Sequence, residues 1–163
     1  MTLISTIRIN QTSPYDVQII DDGLSLGFTT EKGIRYKIAF TEDCSIFSHN
    51  AYMFYIGAQD MPLGRDKKIT NTIYSILGSF FEDNSRILLY FCDMKDHKQA
   101  LRNRLFSMWY ENFPEKVLFR KITMAIEVET DMYFVSLIAL RTHPEIEQIC
   151  NQFNQYINEL RNK

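Results

Sequence analysis

DKKITNTIYSILGSFFEDNSRILLYFC, residues 66–92, changes its period half-way along. Ile69, Ile73, Ile76, Leu77 and Phe80 recur at the spacing of one helix face, behind an aspartate at 66 that suits an N-cap, so the first half predicts an amphipathic helix ending near Phe81. Glu82-Asp83-Asn84-Ser85 then breaks the pattern. Ile87 to Cys92 is continuously apolar, short and bounded by polar residues, as expected of a strand buried on both faces.

Upstream, the period is two. Leu24, Leu26 and Phe28 alternate with Ser25, Gly27 and Thr29, and Ile34, Tyr36, Ile38 and Phe40 alternate with Arg35, Lys37 and Ala39. Glu31-Lys32-Gly33 between them puts glycine where a hairpin loop wants positive φ. Tyr15 to Ile20 reads as a further strand, and Ala51 to Gly57, apolar on both faces, as a strand inside the sheet.

Downstream, a second helix is expected from about Asp96 to Phe113, stopped by Pro114. Val117 to Phe119 and Ile122 to Val128 read as extended, with Glu129-Thr130-Asp131 turning the chain into a strand from Met132 to Leu140. Thr142-His143-Pro144-Glu145 resembles a capping box before a helix whose stripe is Ile146, Ile149, Cys150, Phe153, Ile157 and Leu160. The expected architecture is therefore a single α+β domain over 1–163. It has a mixed, largely antiparallel sheet, an N-terminal β meander followed by α-β-α-β-β-α, and helices mainly on one face.

Composition agrees with a packed domain: of 163 residues, 45% are hydrophobic and 13% aromatic. Cys44, Cys92 and Cys150 are widely spaced and form no Cys-x-x-Cys pair, so reduced thiols and no structural zinc are expected. Met1 to Pro14 lacks a basic start followed by an apolar run, and Met132 to Leu140 is too short for a span of about 20 residues. These features point to a cytoplasmic protein that does not cross a membrane. Net charge is −2; residues 65–121 carry 11 basic against 7 acidic side chains, an excess too small to favour nucleic acid.

Only six glycines are present, and neither a glycine-rich phosphate loop, a G-x-S-x-G elbow nor H-E-x-x-H occurs, so no cofactor is expected. The residues that could carry chemistry follow the strand that ends at Cys92. Asp93, Asp96 and His97 could hold Mg²⁺ or Mn²⁺ or share acid and base roles, as ligands favour the carboxyl ends of sheet strands. The same residues suit a turn and a helix start, with Asp96 as N-cap. Arg102 projects among Leu101, Leu105, Phe106 and Trp109. It reads either as a buried partner of Asp93 or Asp96 or as an anion-binding group. Cys92 reads as a packed hydrophobe rather than a nucleophile, and His49 and His143 have no ligand pattern around them.

Phe91-Cys92-Asp93, Asp96, Arg102-Asn103-Arg104-Leu105-Phe106 and Trp109 together resemble a pattern in an uncharacterised family of small Bacteroidetes proteins, over about Leu24 to Arg120. The resemblance implies no activity, and it implies a small residue where His97 stands. Two functions follow from the sequence as expectations. The first is a non-enzymatic interaction or regulatory module that binds a protein partner or a second copy. The second is a metal-dependent or phosphate-directed enzyme using Asp93, Asp96, His97 and Arg102.

Overall fold

The computed structural model describes residues 4–23, 25–58, 66–93 and 106–162. In chain order the elements are α1 (Thr6–Asn10), β1 (Gln18–Ile20), β2 (Ser25–Thr29), β3 (Arg35–Glu42), β4 (Ala51–Ala58), α2 (Lys67–Phe80) and β5 (Ile87–Asp93). Then come α3 (residues 106–112), β6 (Phe119–Val128), β7 (Asp131–Leu140) and α4 (Ile146–Arg161). The strands run in the order β1-β2-β3-β4-β5-β7-β6, with β4 and β5 parallel and β1/β2, β2/β3, β5/β7 and β6/β7 antiparallel. This is a mixed, largely antiparallel sheet in an α+β fold. Among the described residues, no helix is long and apolar enough to cross a membrane.

The chain forms two compact units, Met1–Thr41 with Phe54–Asp83, and Glu42–Met53 with Asn84–Lys163. In the first, α2 forms as its periodicity predicts, with Asp66 accepting from the Lys68 N–H at 2.8 Å and Ile69, Ile73, Ile76 and Phe80 buried. Phe80 stacks on Phe40 at 4.6 Å, and Tyr15, Phe28 and Tyr36 form a parallel stack at 5.8 and 5.0 Å. The β2/β3 loop carries Gly33 at φ 79, as its place in the hairpin requires. α1 was not expected from sequence. It is five residues long, too short for an apolar period to show, and it is held by the Ser5 cap and by the Arg8–Glu82 ion pair. β1 keeps only the last three residues of the strand expected at Tyr15 to Ile20.

In the second unit β5 pairs with β4 over Ala51–Met53 and with β7 over Leu88–Asp93. Ile87, Leu89, Val135, Leu137 and Ala139 turn one face toward Ile149, Cys150, Phe153 and Ile157 of α4, which provides the expected helical cover. On the opposite face Tyr90 stacks against Phe106 of α3 at 4.2 Å. β6 is continuous from Phe119, whereas Val117 and Leu118, expected to be extended together with Phe119, belong to a 3₁₀ turn, Lys116–Leu118, after Pro114. The β6/β7 hairpin closes through Glu129 and Thr130, with Glu129 at φ 59. The capping box expected before α4 is not made. Glu145 makes no side-chain cap, and His143 does that work: its Nδ1 accepts from the Glu145 N–H at 2.9 Å while Nε2 donates to the Ser85 carbonyl at 3.1 Å.

Candidate functional site

Asp93 ends β5 opposite Tyr133, and its side chain lies outside the described residues, as does that of Cys92. Asp96, His97 and Arg102 lie outside them altogether, so the expected pairing of Arg102 with Asp93 or Asp96 does too. Among the described residues no three His, Cys, Asp or Glu side chains are grouped to hold a metal ion. Cys44 is exposed, Cys150 is buried in the α4 core where burial raises its thiol pKa, and His49 shares a 2.8 Å hydrogen bond with the Ser48 hydroxyl.

The described chemistry of the second unit gathers on the β6/β7 face away from α4. Strand alternation sends Arg120 toward α4, where it pairs with Glu147 at 2.7 Å, and sends Lys121 to the other side. There the ammonium stands 4.9 Å from the centre of the Tyr110 ring. Burial lowers the Lys121 pKa, with Glu111 opposing, because a half-buried ammonium loses hydration that a distant carboxylate does not restore. Glu111 instead pairs with Lys116 at 2.9 Å, and among the described residues no carboxylate lies at ion-pair distance from Lys121.

Tyr110 moves the other way. Burial first, then Glu111, raises its phenol pKa against the pull of Arg141 and Lys116, so the hydroxyl stays a donor at neutral pH. Two residues along β6, Thr123 shares a 2.8 Å hydrogen bond with Ser136, which lies opposite Tyr90 across the β7/β5 ladder. One face thus carries an amine with no carboxylate at ion-pair distance among the described residues, a phenol and two hydroxyls beside the Tyr90/Phe106 stack. The sequence reading missed it, since an isolated Lys in an alternating strand looks solvated. The available signal was that Lys121 and Thr123 share one face of a hairpin whose partner residue, Ser136, interrupts an otherwise apolar strand.

The first unit holds a second polar group. The Tyr15 hydroxyl donates to Asp66, which also caps α2, and Lys68 pairs with Glu31 beside them. The Tyr15 hydrogen bond, followed by the helix-end N–H groups and Lys68, holds the Asp66 carboxyl below its usual range against the effect of burial. The Tyr36 hydroxyl, buried near this group, has no hydrogen-bond partner among the described residues. These contacts tie the β1 and β2/β3 segments to the start of α2 and read as structural.

Residues 65–155 match the Family of unknown function (DUF6169), and the chain belongs to that family. No curated protein matches it. A solved structure described as a CoA-dependent acyl-homoserine lactone synthase, MesI, is similar over 91% of this chain and 85% of that one, at 12% identity and a TM-score of 0.38. A likeness that low says nothing of activity.

Proposed function

We propose that this member of the family binds an anionic small molecule, phosphate- or carboxylate-bearing, on the β6/β7 face where Lys121, Tyr110, Thr123 and Ser136 meet. The observation that carries the reading is the Lys121 ammonium, half-buried and without a carboxylate at ion-pair distance among the described residues. Removing a cation from water costs free energy that an incoming anion offsets most directly, so the site favours a ligand of opposite charge. Lys121 supplies the charge, Tyr110 a protonated hydroxyl, and Thr123 with Ser136 groups that both donate and accept. The family match contains all four residues. Titrating inorganic pyrophosphate and, separately, acetate into the full chain tests this by amide shifts at Lys121, Thr123 and Ser136. Saturable shifts that weaken about ten-fold or more in Lys121→Met support it. Shifts equal in wild type and variant, or absent with both anions, refute it.

A second reading, self-association or a protein partner, is favoured by Val117 and Leu118, consecutive apolar residues 71% and 50% exposed at the entry to β6. It predicts a concentration-dependent mass in light scattering that Val117→Ser with Leu118→Ser abolishes. A mass independent of concentration in the wild type counts against the second-copy form.

A further inference from the structure

In the first unit β2 and β3 bury one face at Leu26, Phe28, Tyr36 and Ile38, and the other face is open at Gln18, Thr29, Arg35 and Lys37 with Ser25 and Gly27 buried on it. Tyr15 and Val17 are buried where Asp16 and Gln18 are exposed, and Phe28 and Tyr36 are buried where Thr29 and Arg35 are exposed. The register sets Gln18 beside Gly27 and Lys37, and Thr29 beside Arg35. Asp16, two residues before Gln18 on the same face, comes level with Thr29 and Arg35. Gly27 leaves the middle of this face without a side chain, and Ile20 leans over the gap: a Cβ at Gly27 would come 3.0 Å from Ile20 Cδ1 and 3.4 Å from the Tyr36 carbonyl. The result is a hollow of about 280 Å³ lined by Asp16, Gln18, Ile20, Gly27, Thr29 and Arg35.

Its charges are separated in a definite way. Lys37 is taken up by Asp21 at 2.5 Å, whereas Arg35 and Asp16 have no ion-pair partner among the described residues; Asp16 accepts only from the Gln18 amide at 3.0 Å. They flank Thr29 on the same face, two strand spacings or about 9.5 Å apart at the backbone. An ammonium and a carboxylate in one molecule can each take one charge-assisted hydrogen bond, one from each of these side chains.

We propose that this hollow binds a zwitterionic small molecule of the size of an α-amino acid. Arg35 takes the carboxylate, Asp16 takes the ammonium, Gln18 and Thr29 add hydrogen bonds, and the ligand's apolar side chain lies over Gly27 against Ile20. The site shares no residue with the Lys121 face, so either can fail alone.

L-Valine titrated into the isotope-labelled full chain is the test, followed at the Gly27, Thr29 and Arg35 amides. Two analogues each lack one charge, 3-methylbutanoate without the ammonium and isobutylamine without the carboxylate. The expected result is saturable binding of valine, with both analogues weaker by about ten-fold or more. Arg35→Gln and Asp16→Asn should each weaken valine to a similar degree, and Asp16→Asn should bring valine and 3-methylbutanoate to equal affinity. Gly27→Ala should lose valine while the fold holds, since the tight contacts of its new Cβ are with the Ile20 side chain and the Tyr36 carbonyl stays at an ordinary 3.4 Å. No saturable shift with valine up to about 50 mM, analogues that bind as well as valine, or an Arg35→Gln protein that binds valine normally would overturn the proposal. The analogue series on the wild-type chain decides the matter even where a variant fails to fold.

Discussion

Tyr15 and Asp66 show what a single hydrogen bond does to acid stability. The Asp66 pKa is lowered in the folded chain, chiefly by the Tyr15 hydroxyl, so its contribution is present above the unfolded carboxylate range and is lost as pH falls through the lowered folded value. Tyr15→Phe removes the first cause of that shift. Urea unfolding should therefore find the wild type ahead of Tyr15→Phe at pH 7, with the gap narrowing near pH 2; a gap independent of pH would show that the hydroxyl acts through packing alone. The Asp66 cap was legible in the sequence because aspartate before an apolar period has one common use. Its tyrosine partner, 51 residues away, was not, because no local pattern reports a long-range hydrogen bond. Lys121 was hidden for a related reason: charge on an alternating strand reads as solvent-facing until the residues opposite are known.

At the scale of elements, α4 and the β6/β7 hairpin carry the second unit. Phe153 is fully buried among Leu89, Val135 and Leu137, so Phe153→Ala should cost about 3 to 5 kcal/mol, read from denaturant unfolding. A loss below about 1 kcal/mol would mean that the helix is not the cover of this face. In the hairpin, Glu129 holds φ 59, a conformation that costs a residue with a Cβ more than it costs glycine. Glu129→Gly should stabilise by about 0.5 kcal/mol, and a loss of stability would place the Glu129 side chain in a contact that matters more than its backbone. The apolar runs of β4 and β5 and the helical stripes of α2 and α4 were readable because burial on a fixed period leaves a strong trace. α1 is too short to show a period, and the start of α4 deceived because a Thr-x-x-Glu pattern fits a capping box while His143, read only as part of the helix start, in fact makes the bonds. The segment from which the candidate site was read, Asp93 with Asp96, His97 and Arg102, was chosen for its place after β5. Its side chains lie outside the described residues, whereas Lys121 and Tyr110 are described polar groups within the span of the family match.

For the whole molecule, the account rests on an α+β fold whose family match spans α2, β5, α3, β6, β7 and most of α4, with the Lys121 face inside that span. Anion binding there has a pH signature. Because burial lowers the Lys121 pKa, the cation and the affinity it supports should fade at a pH below the ordinary lysine value, while a site built on arginine would hold throughout. Whether Lys121 holds an anion is decided by the pyrophosphate titration of wild type and Lys121→Met, repeated from pH 7 upward. Binding should be saturable, weaken about ten-fold or more in the variant and decline in the wild type before an ordinary lysine would titrate. Binding that survives Lys121→Met and stays constant with pH would contradict that expectation.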